Sequence, residues 1–373
     1  MRLDKKNTLW GKLRRARYSS TMLLGLTCLH GCKTAAAPPI VSVHASSEHP
    51  SASESPTLEA QTQEAKLLLA ATADGKSGFV NEHGQIVISF DYDEVGPFNE
   101  EMAPVRIGGL WGFVDHTGSR VVEPQYQGAR APVEGRAAIK LNDHWGFLDK
   151  TGTQVIAPDY DVVGDFSEGR AAVSKGGKWG FIGLNGNVDI PLTYANVHSF
   201  SEGLAAVQVG RLWGYLDKSN GKLIEPRYED AQPFACGLAA VRIHNKWGFI
   251  DTHGALAVPA QYDEVQPFSD DLAAVESGGR WGYVHPDGSW AIEPSFEKAG
   301  LFSGKVAAVL QGSDWAYVRP DGKSAIHLPS HVTQAGPFHN EVAQVVYRRA
   351  TCYIIKTGEF VWNPVNGKQE GTR

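Results

Sequence analysis

Apolar residues along this chain fall into short runs of similar length, separated by pairs of turn-forming residues, and one stretch shows the plan. Ala137-Ala138-Ile139-Lys140-Leu141 leads through Asn142-Asp143 into His144-Trp145-Gly146-Phe147-Leu148-Asp149, and Lys150-Thr151-Gly152 leads into Thr153-Gln154-Val155-Ile156-Ala157-Pro158. Runs of this length bounded by residues that tolerate positive φ predict β-strands joined by tight hairpins. Sister stretches place Gly108-Gly109, Gly176-Gly177 and Gly278-Gly279 at the first turn. Each unit therefore reads as a three-stranded antiparallel meander.

The unit repeats at a fixed interval of 34 residues, marked by Trp111, Trp145, Trp179, Trp213, Trp247, Trp281 and Trp315. Six of these are followed by glycine, and Ala316 takes its place after Trp315. Counting from Ser77-Gly78-Phe79 to Thr351-Cys352-Tyr353 gives nine copies over residues 67–364. A constant period of this size marks stacked copies of one supersecondary unit. The segment between meanders carries aromatics 15 places past the ladder position (Tyr92, Tyr126, Tyr160, Tyr194, Tyr228, Tyr262, Phe296). A second set follows at 21 places (Phe98, Phe166, Phe200, Phe234, Phe268, Phe302), with Pro132 as the exception. Both read as anchors pinning an irregular connection to the core. The terminal copies lack tryptophan, as end units facing solvent on one side would, so the pattern favours an open solenoid-like array over a closed β-propeller-like ring.

The motif Trp-Gly-Phe-Ile/Val-Asp-x-x-Gly, seen as Trp111-Gly112-Phe113-Val114-Asp115-His116-Thr117-Gly118 and Trp247-Gly248-Phe249-Ile250-Asp251-Thr252-His253-Gly254, resembles the WG repeat family. That resemblance implies an all-β repeat module with no general enzymatic activity. It leaves the ligand open.

The chain begins with a basic segment (Arg2, Lys5, Lys6, Lys12, Arg14, Arg15, Arg17) and a short apolar run from Thr21 to Leu29. Such a run is too short for a bilayer, which needs about 20 residues, and suits a signal peptide over 1–31. Leu29-His30-Gly31-Cys32 resembles a bacterial lipobox, with Cys32 as the lipidation site. Residues 32–66 are rich in Ala, Pro, Ser and Glu and read as a disordered tether, and 365–373 read as a disordered tail. Cleavage before Cys32 removes seven basic residues and one acid from a chain with 35 Lys+Arg and 41 Asp+Glu, leaving a net charge of −12. That balance argues against a nucleic-acid partner. Cys236 and Cys352 remain in the body; a disulfide between them is open, and buried apolar thiols are the better reading.

The tryptophans read as a structural ladder in the core more than as an exposed stacking face. Asp115, Asp149, Asp217 and Asp251 read as turn residues, because Asp accepts from backbone amides two places on. The acids after the 15-place aromatic, such as Asp93, Asp161 and Asp263, read as a solvated edge. No catalytic constellation, metal set or cofactor motif is present: His327 and His331 bracket Pro329, and neither Gly75-Lys76-Ser77 nor Gly322-Lys323-Ser324 has the earlier glycine of a phosphate loop. The expected function is a non-catalytic, lipid-anchored scaffold of the bacterial cell envelope. Its partner would be a protein or an envelope polymer, met through loops that differ between copies, with His144, Lys178, Lys246 and Arg280 as candidate contacts. An envelope glycan-binding protein or hydrolase is the alternative. It would draw on the atypical stretch Ser313–His339, with Trp315-Ala316, His327, His331 and His339, which otherwise reads as an end cap.

Overall fold

The computed structural model describes residues 67–364 apart from 220 and 222. The signal peptide, Cys32, the tether and the tail lie outside the described residues. Within them the chain forms nine antiparallel sheets in chain order, here called blades 1 to 9. Blade 1 has three described strands, Leu68–Ala73, Lys76–Asn81 and Ile86–Tyr92, and every other blade has four. Blade 4, for example, comprises Val162–Ser167, Arg170–Lys175, Lys178–Gly183 and Val188–Tyr194.

The three-stranded unit is therefore corrected to a four-stranded blade. The segment read as an anchored connection supplies the first strand of the next blade. It is hidden in sequence because in several blades this strand is only two residues, as at Glu94–Val95, followed by a lone bridge between Asn99 and Met102. Where it is longer, Phe166 pairs with Ala171 across a second two-residue turn, Glu168-Gly169, at φ 54° and 78°. The turns foreseen between the second and third strands are present: Asn142 and Asp143 stand at φ 49° and 65°, Gly176 and Gly177 at 59° and 73°. Positive φ at both central residues matches the right-handed twist of the flanking strands.

Glycine after the tryptophan has a specific task. Trp179 stands opposite Tyr194, yet Phe181 stands opposite Ile190, so the fourth strand carries two extra residues between these pairs. A Cβ on Gly180 would lie 2.5 Å from the Ile190 carbonyl oxygen and 2.8 Å from the Leu192 nitrogen. The fourth strand can fold over this point only because no side chain is there. In blade 8, where Ala316 replaces glycine, Ala316 pairs with His327 and Tyr317 with Ile326 in unshifted register.

The deepest burial belongs to the aromatic two places past the tryptophan. Phe79, Phe113, Phe181, Tyr215, Phe249, Tyr283 and Tyr317 have no accessible surface. Most of these rings meet the 21-place aromatic of the following blade: Phe79 with Phe98 at 4.6 Å, Phe181 with Phe200 at 4.8 Å, Phe249 with Phe268 at 4.7 Å. The core therefore lies between blades and glues each to the next. Where the ring is tyrosine, its hydroxyl donates to a carbonyl in that next blade, Tyr215 to Gln232, Tyr283 to Gly300 and Tyr317 to Gly336.

Tyr353, the equivalent in blade 9, has no later blade among the described residues, and its hydroxyl donates 2.8 Å to the carbonyl of Ala70 in blade 1. Burial pushes this phenol up to about 12. Leu69, Ala71 and Val80 pack with Val342, Ile355, Val361 and Trp362, and the rings of Trp362 and Phe90 stack at 5.5 Å. The first and last blades thus pack on one another, and the nine blades form a ring. The open array is overturned. The terminal copies pack on one another and do not face water as end caps. Nine blades of 34 residues extend the usual range of about four to eight longer blades.

Candidate functional site

In an antiparallel blade the turn between strands two and three lies at one end, together with the join to the next blade, and the other two turns lie at the opposite end. The residue before each ladder position stands at the first of these ends. Lys76 contacts Asp93 at 2.8 Å, His144 contacts Asp161 at 4.0 Å, Lys246 contacts Asp263 at 2.5 Å and Arg280 contacts Glu297 at 2.5 Å. The same acids accept backbone N–H groups from the turn of the following blade: Gly108 on Asp93 at 2.8 Å, Gly176 on Asp161 at 2.7 Å, Gly278 on Asp263 at 3.1 Å. Each acid is a clasp between a basic side chain of one blade and the backbone of the next. Neither the candidate contacts His144, Lys246 and Arg280 nor the acids read as a solvated edge are free loop groups.

Blade 2, with Leu110 and Gln127, and blades 8 and 9, with Asp314 and Ala350, lack this basic–acidic pair, and the neighbouring blades 4 and 5 break it side by side. Lys178 is exposed, has Ala195 where its sisters have an acid, and makes no ion pair among those of the described residues. In blade 5 the basic residue is replaced by Leu212, 41% exposed, beside Val209, 48% exposed, on the two sides of the Gly210-Arg211 turn. Glu229, the acid nearby, turns instead to Arg242 at 3.4 Å and to the Asn245 N–H at 3.0 Å.

At the opposite end a second belt runs from blade to blade. Glu134 accepts the N–H groups of Glu168 and Gly169, both at 2.7 Å, and Glu168 accepts from Gly203 at 3.1 Å. Glu202 accepts from Gly237 at 2.8 Å, and Asp270 from Lys305 at 2.9 Å. The signal in the sequence is an acid followed by a turn residue before the second strand, as in Glu134-Gly135, Glu168-Gly169 and Glu202-Gly203. Near this end Asp115 Oδ1 accepts from Thr117 and Ser119 backbone N–H groups at 2.9 and 3.0 Å, and Asp149 and Asp251 do likewise in their own turns. Where that aspartate is missing, Asn185, Asp287 and Asp321 accept instead, two places further on.

The hydroxyls of Thr117 and Thr151 hold Asp115 and Asp149 below the usual carboxylate range, and the Lys76 and Lys246 ammonium groups do the same for Asp93 and Asp263. Depressed folded values mean that the unfolded chain takes up protons more readily. The contribution to stability is whole above about pH 4, the unfolded value, and disappears as the pH falls through the lower folded ones. Melting temperatures measured from pH 7 down to pH 2 should stay level with respect to these groups to about pH 4 and then drop. A curve flat to pH 2 would exclude these carboxylates as contributors.

Of the ladder tryptophans, Trp213 and Trp247 are buried and the other five are half-buried. The residue 15 places before a tryptophan covers its face in some blades: the His198 ring stacks on Trp213 at 5.1 Å and the Arg130 guanidinium sits 4.9 Å from the Trp145 ring centre. Gly96, Gly164 and Gly300 occupy that place before Trp111, Trp179 and Trp315. Cys352 is a free, fully buried thiol, so Cys236 and Cys352 do not pair with each other. Cys236 departs from the expected buried position, standing half-buried in a turn at φ 54°. His327 ends the fourth strand of blade 8, His331 lies in the link to blade 9 at φ 77°, and His339 ends the first strand of blade 9. The atypical stretch therefore belongs to two blades inside a closed ring and is no end cap. No group of three or more His, Cys, Asp or Glu among the described residues is placed to hold a metal ion.

No curated protein sequence matches the chain. Among solved structures, the crystal structure of a eukaryotic initiation factor superposes with a TM-score of 0.57 at 9% identity, covering 80% of this chain and 95% of that one. Kluyveromyces lactis Hsv2p gives 0.37 at 12%, covering 70% and 96%, and the dihydro-heme d1 dehydrogenase NirN gives 0.41 at 13%, covering 58% and 59%. At such identities the initiation factor supports the fold alone. The model of the WG containing repeat matches seven successive segments, 78–111, 111–143, 145–179, 179–213, 213–247, 247–281 and 281–323. With its tryptophan ladder, its bulge glycines and this run of matches over most of the described residues, the chain belongs to the WG repeat family.

Proposed function

We propose that this propeller is a non-catalytic interaction scaffold of the bacterial cell envelope, held to a membrane through lipid on Cys32. It presents the end carrying the second-to-third-strand turns to a protein or an envelope polymer. The observation that carries the reading is the break in the clasps at blades 4 and 5. In blades 1, 3, 6 and 7 the basic residue at this position is engaged in holding the ring, whereas Lys178 is left with an unused charge and Val209 and Leu212 show apolar surface beside Arg211. An apolar spot flanked by unspent positive charge is the composition of an interface centre with a polar rim.

The test is capture from envelope extracts by the full chain, with protein and polymer fractions assayed separately. Lys178→Glu combined with Leu212→Ser should reduce the captured partner at least tenfold while leaving the melting temperature unchanged, since both side chains are exposed. Equal capture by the variant would remove this face from consideration.

A further inference from the structure

Blade 8 departs from its sisters at linked positions. Ala316 pairs with His327 and Tyr317 with Ile326 without the two extra residues found at the glycine blades, the shift coming only between Tyr317 and Val318, and the fourth strand stops at His327. The residue 15 places past Trp315 is Ser330, whereas an aromatic stands directly opposite each of the other ladder tryptophans, as Tyr262 does for Trp247 and Phe296 for Trp281. The Leu328 N–H reaches the Trp315 carbonyl at 3.3 Å instead. On the other side Gly300 provides no cover of the kind His198 gives Trp213.

The space left beside Trp315 is a cavity of about 450 Å³, with Gln311, Asp314, Ser324, His327 and Ser330 contributing to its lining. That volume falls within the range of about 300–1,000 Å³ typical of small-molecule sites. Asp314 is also the one acid at a position where five other blades carry Lys76, His144, Lys178, Lys246 or Arg280.

We propose that this cavity binds a pyranose unit of a polysaccharide, with the C–H face of the sugar against the Trp315 indole. The sugar hydroxyls donate to the Asp314 carboxylate and exchange hydrogen bonds with Gln311 and His327. The lining selects this class. An anion would meet the Asp314 carboxylate, and an aromatic or aliphatic group would leave several polar side chains without partners at a desolvation cost. A sugar offers an apolar face for the indole and hydroxyls for the rim. Asp314, His327 and Ser330 are exposed, so neighbouring units of a chain can leave the cavity on either side. The proposal rests on the scaffold reading only in treating the ring as a binding body.

The test is calorimetric titration of the full chain with soluble tetrasaccharides of N-acetylglucosamine and of glucose. At least one should bind, at one site per chain. Asp314→Ala should weaken it at least tenfold, and Ser330→Tyr, which restores the ring found in the other blades, should abolish it. Absence of binding by both sugars, or binding that survives either substitution at full strength, overturns the proposal. Should Ser330→Tyr fail to fold, the exposed Asp314→Ala decides alone. Partner capture through blades 4 and 5, run in parallel on the Asp314→Ala protein, separates the two readings: sugar binding can fail while capture persists, and the reverse.

Discussion

Replacing Gly146 with alanine should destabilise the propeller by about 3 kcal/mol or more, at or beyond the upper end of the usual cost of inserting one methyl into a packed interior. The added Cβ would lie 2.4 Å from the Ile156 carbonyl oxygen, 2.6 Å from the Pro158 nitrogen and 2.7 Å from the Ala157 carbonyl carbon. All three are backbone atoms, so no rotamer change relieves the contact. The fourth strand would have to give up the two extra residues that bring Tyr160 opposite Trp145. Blade 8 is the internal control: Ala316→Gly meets no such bulge and should cost at most about 1 kcal/mol, the ordinary penalty of glycine in a strand. Chemical denaturation of both variants beside the parent measures the difference. Equal losses at the two positions would show that the bulge is not what the glycine protects.

That contrast also explains what could be read in the sequence. The period, the turns at Asn142-Asp143 and Gly176-Gly177, and the capping aspartates are local: each depends on residues within one hairpin, and local chemistry dictates them. The first strand is not local. At Glu94–Val95 two ladder residues are followed by Gly96-Pro97, so propensity argues for a loop, and the strand forms because the next hairpin supplies partners, Glu94 to Arg106 and Val95 to Val105. Without that strand, the spacing of 17 between Lys76 and Asp93, Lys246 and Asp263, or Arg280 and Glu297 carries no meaning, and the clasp residues His144, Lys246 and Arg280 look like free loop groups. The tryptophan drew attention as the largest conserved shape within the repeat, although the fully buried ring is the one two places on. Closure was the hardest to foresee, since it rests on contacts such as Tyr353 to Ala70, 283 positions apart, between copies whose divergence imitates solvent caps.

Closure makes a second large effect expected. Ending the chain after Leu328 removes blade 9, and in an open stack that would cost a single interface and shorten the array by one unit. In the ring it uncovers two. Tyr317 loses the Phe338 ring at 4.8 Å and its hydroxyl acceptor on Gly336, while Leu69, Ala71 and Val80 of blade 1 lose Val342, Ile355 and Trp362. Single large-to-small core substitutions already cost about 2–5 kcal/mol, so the loss of a blade should lower the melting temperature by more than about 10 °C at roughly 2–4 °C per kcal/mol. It should also expose enough apolar surface to bind a hydrophobic dye. Trp362→Ala, which removes the stack on Phe90 and one side chain of the seam with Leu69, Ala71 and Val80, should give a smaller shift in the same direction. A truncated chain that melts within a few degrees of the parent and binds no dye would mean that blades 1 and 9 do not support each other, and the ring would have to be abandoned for a stack with free ends.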